Sequence, residues 1–391
     1  MNGPGTLVTV EIETLAHGGD GLGRVDGRVC FVPFALPGDR VLGRVNRRTP
    51  SAWWATLLKV ERPSPDRVPC LGGAAVRAER AYLWGCLAYP AQSEWKRRIA
   101  ADCLARIAKI TPELRLVEDP SQRLGYRTRA EFHGDGEDLG YYAHRTHDIL
   151  PMPRCPLCHD RVNEMLAELA PLKVRGSVTV TVHPETGEAL IWASPATGPR
   201  LAGHFQNVNW PGDGRPRARF EMDGVPVVNG TFCQSGLLLN RLLVREVRAM
   251  AGGCRSLLDL YCGNGNLSLG MAREGVRVTG MDHAGEAVDA ARAAGAGDYL
   301  RGGEEAMARA VAAGGHRVIL LDPPRTGAAA LTPALAAADA ARIVYVSCDP
   351  ATLARDLRAL AAGGWRVSDA AVLDLFPHTP HLETVCLLQR D

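Results

Sequence analysis

From residue 237 onward the chain alternates between helix-like and strand-like segments, and this alternation restricts its fold more than any other feature. The helical patterns LLLNRLLVREVRAM, NLSLGMAREG, EAVDAARAAG, TPALAAADA and ATLARDLRALAAGG are interleaved with the apolar runs SLLDLY, VRVTGMD, HRVILLDPP and RIVYVSCDP. Short buried strands separated by amphipathic helices build an open, parallel-rich sheet with helices on both faces. Ligands of such sheets bind beyond the carboxyl ends of the strands, so the residues that end each run are the first candidates for function.

The first strand ends in Tyr261-Cys262-Gly263-Asn264-Gly265-Asn266. Its Gly-x-Gly turn lets the backbone approach a ligand, although Leu267 and Ser268 break the dinucleotide pattern GxGxxG. The next strand ends in Met281-Asp282, a carboxylate suited to ribose hydroxyls, so a nucleoside cofactor explains the pair better than a tight turn alone. Asp322-Pro323-Pro324-Arg325-Thr326-Gly327 forms a stiff loop over the same edge. Cys348 ends the following strand, with Asp349-Pro350 opening a helix whose positive end is expected to lower the thiol pKa. Taken singly, a cysteine there is more commonly a buried core residue. Near the C-terminus, Glu383 precedes a last apolar strand and is a candidate base.

The first sixty residues read differently. Val8, Val10 and Ile12 alternate with polar residues, and Gly18-Gly19-Asp20-Gly21, Asp26-Gly27 and Pro37-Gly38-Asp39 mark turns, so a small all-β barrel is expected, closed by Pro63-Ser64-Pro65. Trp95, Ile99, Cys103, Ile107 and Ile110 fall at helical spacing over residues 91–110. Strand-like runs between 126 and 235 suggest an antiparallel region. The expected fold class is α/β: a Rossmann-like domain over 236–391, an all-β barrel over 1–62, and an α+β central domain over 63–235 whose helix 91–110 packs on the catalytic domain. A length of 391 residues accommodates that number of domains without staples. No stretch reaches about 18 apolar residues and no secretory leader is evident, so no membrane contact and a cytoplasmic location are expected. An odd count of 11 cysteines argues against a disulfide framework, leaving ligands and nucleophiles to be sought among them.

The runs DLYCGNGNLSL, LLDPPRTG, VYVSCDPATLARDL and DLFPHTPHLETV occur in this order, with Tyr126-Arg127-Thr128-Arg129 and Phe232-Cys233-Gln234 upstream. Together they resemble the RNA uracil-5 methyltransferase family, S-adenosylmethionine-dependent enzymes that make 5-methyluridine in transfer or ribosomal RNA. The N-terminal barrel resembles a TRAM domain, an oligonucleotide-binding-type barrel. The resemblance implies that Cys348 is the nucleophile and Glu383 the proton acceptor. It assigns Gln234, Tyr261, Asn266, Asp282 and Asp322 to S-adenosylmethionine or the uracil. TRAM-bearing members mostly modify ribosomal RNA, so an RNA partner is expected, ribosomal before transfer, for a monomeric chain. A cytosine-C5 enzyme is the nearest rival, yet Asp322-Pro323-Pro324-Arg325 lacks the second thiol such enzymes use; a non-catalytic TRAM protein would have no need of Cys348 or Glu383. The chain departs from the family at Gly303, where an acidic residue is usual.

Many relatives hold a [4Fe-4S] cluster through four cysteines. Cys70, Cys86 and Cys155 match three of them, Leu83 stands in place of the other, and Cys158 of Cys155-Pro-Leu-Cys158 offers a substitute thiolate. The cluster, zinc on the same four sulfurs, and no metal are all compatible with the sequence. Between 93 and 129 nine basic residues outnumber five acidic ones, which suits either phosphate contacts or an ion-paired helix face. In the barrel, Phe31, Phe34, Trp53 and Trp54 are candidates to stack bases, with at least two expected in the core.

Overall fold

The computed structural model describes residues 5–71, 82–143 and 146–390. Five strands close a barrel: β1 (Leu7–Leu15), β2 (Gly21–Val25), β3 (Arg28–Val32), β4 (Arg40–Arg48) and β5 (Ala52–Arg62), arranged around it as β1-β2-β3-β5-β4. The period-2 pattern of β1 points Val8, Val10 and Ile12 inward, where they meet Cys30, Val32, Val41, Val45 and Trp53. Asp39, fully buried, ties the barrel to the following segment by accepting from the backbone of Leu36 and Ser64 and from Arg67.

The larger sheet has eight strands in the order Asp298–Arg301, Arg277–Asp282, Ser256–Leu260, Val318–Leu321, Arg342–Ser347, Glu383–Gln389, Arg366–Leu373, Arg115–Val117. The first five are mutually parallel, and Glu383–Gln389 runs antiparallel to both of its neighbours. The four strands expected from sequence are thus its centre. The chain order reverses between Ser256–Leu260 and Val318–Leu321, and this is where an open α/β sheet leaves a crevice at its carboxyl edge. A second, six-stranded sheet contains Arg129–Asp135, Arg175–Val182 and Ala189–Ala193 in antiparallel pairs.

The chain forms two compact units, drawn differently from the three domains expected. One comprises residues 1–99, 142–147 and 376–381; the other comprises 100–141, 148–375 and 382–391. The central region 63–235 is therefore no unit of its own. Its Arg115–Val117 strand is the edge of the eight-stranded sheet. The expected helix is divided as well: Tyr89–Cys103 passes into a wider π-helical turn, Leu104–Ala108, which packs on the helix Pro350–Ala361.

Candidate active site

The parallel register sets three polar residues side by side. Leu260 pairs with Met281 on one side and with Leu321 on the other, so the next residues, Tyr261, Asp282 and Asp322, lie abreast at the carboxyl edge. Tyr261 adopts a left-handed backbone conformation at φ 60°, uncommon for a non-glycine residue, and Gly263 and Gly265 follow with φ of 53° and 80°. The loop is fastened by Asp282, whose two oxygens accept from the backbone N–H groups of Gly263 (2.9 Å) and Ala284 (2.8 Å). Oδ1 also lies 3.1 Å from His283 Nδ1, so it is Oδ2 that keeps a lone pair able to accept from a ligand.

Two residues overlooked in the sequence complete the loop. The Tyr261 hydroxyl donates at 2.7 Å to Glu304, the residue that follows Gly303. Asn266 exchanges amide hydrogen bonds with Asn240 at 2.7 and 3.0 Å. Asn240 sits in the first turn of Leu237–Ala251, and a polar residue in that otherwise apolar turn was the available signal. The loop carrying Gln234 is held by the run Tyr126-Arg127-Thr128-Arg129. The Ser235 carbonyl accepts from the backbone N–H groups of Thr128 and Arg129, and Arg129 donates to the Thr231 carbonyl at 2.7 Å. Tyr126 is buried.

Cys348 and Glu383 meet across an antiparallel ladder. Val346 pairs with Val385 and Ser347 with Thr384, so the register, extended by one residue, sets Cys348 opposite Glu383. Glu383 is 2% exposed in total and its buried Oε1 has no hydrogen-bond partner. Burial and the Asp322 charge hold its carboxyl well above the usual range, partly opposed by Arg325. Burial and Asp282 push Asp322 up to about 7. The Cys348 thiol is pushed up to about 12, by burial first and by Glu383 second, with Arg325 pulling the other way. The depression expected from the helix terminus is overturned. Asp349 caps the helix, its carboxylate accepting from the N–H groups of Ala351 and Thr352, which spends those donors and sets a negative charge beside the sulfur.

The helix after Cys348 also anchors the Asp322–Gly327 loop. Thr352, Arg355 and Asp356 share one helix face through their three- and four-residue spacing. Thr352 Oγ1 donates to the Arg325 carbonyl (3.1 Å), Arg355 to the Thr326 carbonyl (2.8 Å), and Asp356 accepts from the Ala328 N–H (2.8 Å) and the Tyr345 hydroxyl (2.7 Å).

The four cysteines expected as metal ligands fall into two pairs on different units. Cys70 and Cys86 are joined in a disulfide, their Cα atoms 4.1 Å apart, whereas Cys155 and Cys158 are buried free thiols. The Tyr141 hydroxyl lies 3.4 Å from the Cys158 sulfur. Among the described residues no group of three or more His, Cys, Asp or Glu side chains is gathered to hold a metal ion. The basic stretch 93–129 is largely consumed within the protein. Lys96 is buried and donates to the Phe376 carbonyl, Arg97 and Arg98 pair with Glu94, Arg106 pairs with Asp102, and Arg115 pairs with Glu246 and Asp369.

A doubly wound sheet with a glycine loop and a carboxylate ending adjacent strands defines the class of nucleoside-binding α/β proteins, here with a thiol beside a buried carboxyl and joined to a small β-barrel. Residues 315–391 match the model of the tRNA (uracil-5-)-methyltransferase family, and residues 4–47 match the TRAM domain. The 23S rRNA (uracil(1939)-C(5))-methyltransferase RlmD of Alkalilimnicola ehrlichii is 31% identical, over 98% of this chain and 96% of the relative. Its counterpart in Aromatoleum aromaticum is also 31% identical, over 97% and 99%. The crystal structure of Pyrococcus abyssi tRNA (uracil-54, C5)-methyltransferase in complex with S-adenosyl-L-homocysteine aligns with a TM-score of 0.76 at 26% identity, over 97% of this chain and all of that one. The chain belongs to the RNA uracil-C5-methyltransferase family and is an S-adenosylmethionine-dependent enzyme. No helix among the described residues is long and apolar enough to cross a membrane.

Proposed function

We propose that this chain methylates C5 of a uridine in large-subunit ribosomal RNA, with Cys348 as nucleophile and Glu383 as base. The observation that carries the assignment is the ladder that sets Cys348 opposite Glu383 beside the carboxyl edge holding Tyr261, Asp282 and Asp322. The preference for ribosomal RNA is supported by relatives that span nearly the whole chain.

S-adenosylmethionine, when bound, supplies an electrophilic methyl group on a sulfonium sulfur. The donor set suits such a cation: the Asp282 charge raises the proton affinity of Asp322, the Asp322 charge that of Glu383, and a positive group among them removes that penalty. Asp282 and Tyr261 would hold its nucleoside portion, and Gln234, Asn266 and Asp322 the methionine portion or the uracil. The same positive charge favours thiolate over thiol at Cys348, so cofactor binding prepares the nucleophile.

Uracil C5 is a poor carbon nucleophile. Addition of the Cys348 thiolate at C6 turns it into an enolate carbon able to accept a methyl group. Once methylated, C5 still bears its proton; Glu383 takes it, and the electrons of the C5–H bond re-form the C5–C6 double bond as the C6–S bond breaks. The target base must leave its stack for both ring faces to be reached. No step runs through a metal. A cluster needs four thiolates, and the Cys70–Cys86 disulfide removes two of the four candidates.

The test is mass mapping of 5-methyluridine in RNA from cells lacking the chain. Loss of one site in large-subunit ribosomal RNA, restored by the wild-type gene and not by Cys348→Ala, is expected. Loss confined to transfer RNA would move the substrate there, and unchanged RNA would overturn the proposal.

A further inference from the structure

We infer that Gln92 and Lys96 are positioning residues for Glu383: from the helix Tyr89–Cys103 they fix the loop Phe376–His381, out of which the chain enters the strand that Glu383 begins. This rests on the proposal that Glu383 is the base and adds what aims it. Spacing of four residues puts Gln92 and Lys96 one turn apart on the same helix face. Both are fully buried, a place where glutamine and lysine are rare unless their polar ends are bonded.

Gln92 uses both ends of its amide. Its Oε1 accepts from the His378 N–H at 2.8 Å and its Nε2 lies 3.1 Å from His378 Nδ1, so one side chain grips the backbone and the ring of the same residue. Nε2 also donates to the carbonyls of Leu87 (2.7 Å) and Trp84 (3.2 Å), and the Trp84 N–H donates to the His378 carbonyl at 3.2 Å. His378 has a left-handed backbone at φ 65°, which a non-glycine residue keeps only where its surroundings enforce it. One helical turn on, Lys96 Nζ donates to the Phe376 carbonyl at 2.9 Å and lies 5.9 Å from the centre of the Trp84 ring. The same carbonyl accepts from the Thr379 N–H (3.2 Å) and hydroxyl (2.8 Å), so the loop is closed on itself at the point where the lysine holds it.

Glu383 depends on that hold. Its Oε1 is buried without a hydrogen-bond partner, so its aim follows from the course of the backbone. The ladder with Leu373 fixes the backbone on one side of it, and on the other only Leu382 separates it from the loop. A base must come within hydrogen-bond reach of the C5 proton before the C5–H electrons can re-form the C5–C6 double bond and release the Cys348 sulfur. Addition of Cys348 and methyl transfer come earlier and need no base, so a misaimed Glu383 slows only the last step.

The experiment compares Gln92→Met and Lys96→Met with wild type on a transcript carrying the target uridine and on the same transcript made with 5-fluorouridine. Fluorine at C5 stands where the proton would leave, so the second RNA halts at the methylated Cys348 adduct and reports only the steps before Glu383 acts. Adduct formation there should stay within about twofold of wild type, as should the Kd for S-adenosyl-L-homocysteine. On ordinary RNA, turnover should fall at least about tenfold, since a shift of about 1 Å in a reacting group can cost on the order of 100-fold, and a denaturation-stable adduct should accumulate. Equal slowing on both RNAs, the mark of a general defect, would overturn the inference, and so would wild-type turnover. Should either variant fail to fold, His378→Gly decides: it keeps the left-handed backbone and loses the ring contact with Gln92, and should show the same selective slowing, about threefold. If wild type forms no adduct on the fluorinated RNA, the assignment of Cys348 and Glu383 fails and takes the inference with it; if wild type forms it and the variants slow both steps alike, the inference alone fails.

Discussion

At the residue scale the proposed chemistry depends on one thiol, Cys348, and one carboxyl, Glu383, whose burial opposes ionisation. Glu383→Gln should therefore leave the enzyme covalently attached to its RNA. Cys348 can still add to C6 and C5 can still be methylated, but the C5 proton has no acceptor and elimination stalls. The adduct should appear as a slow-migrating band on denaturing gels, carrying methyl label, and vanish in the Cys348→Ala double variant. A surviving band would point to another nucleophile. Cys262 is a poor one, because burial and the nearby Asp259 and Asp282 drive its thiol far up. The same carboxyls govern stability. Asp259 and Asp322 are both pushed up to about 7 in the folded protein, mainly by burial, against about 3.9 when unfolded. Between those values the folded state binds more protons, so stability is fully present below about pH 4 and is lost as pH rises through 7. The melting temperature of the ligand-free protein should thus carry a falling contribution from pH 5 to pH 8, and Asp322→Asn should flatten it; an equal slope in that variant would remove Asp322 from the account.

At the scale of elements, the helix Pro350–Ala361 is capped by Asp349, next to the proposed nucleophile, and carries the clamp on the Asp322–Gly327 loop along one face. Asp356→Asn replaces the acceptor shared by the Ala328 N–H and the Tyr345 hydroxyl, and should cost about 2 kcal/mol, read from the urea midpoint. Gly327→Ala should cost more, because a Cβ there would stand 2.5 Å from Arg355 Nη2 and from Asp356 Oδ2 at a φ of 75°. If both variants unfold at the wild-type midpoint, the loop does not depend on the helix. The central strands and the residues ending them were legible in the sequence because buried parallel strands are continuous apolar runs. The strand Asp298–Arg301 was not: it is short, lies at a sheet edge and exposes three of its four residues. Nor was the electrostatic sense of Cys348 legible, because it depends on Asp349, Glu383 and Asp322, whose approach is set by strand register. The basic helix face was ambiguous for a related reason, since ion pairs such as Arg97 with Glu94 neutralise what composition counts as surplus.

At the scale of the whole molecule the cysteines give the clearest test. Nine free thiols are expected in the unreduced, denatured protein and all 11 after reduction, with neither iron nor zinc in stoichiometric amount. Eleven thiols without reduction, with about four irons per chain in anaerobic preparations, would restore the cluster. The two units differ from the sequence-derived domains because the segment Phe376–His381, just before Glu383, belongs with the first ninety-nine residues. There Gln92 accepts from the His378 N–H and Lys96 donates to the Phe376 carbonyl. A gene shortened to begin after Ile99 would keep every residue assigned to the proposed chemistry and still deprive those six residues of their anchors, two positions before the proposed base. The first ninety-nine residues begin with a recognisable module, but this cross-stitching means that they cannot be inherited or discarded as one piece.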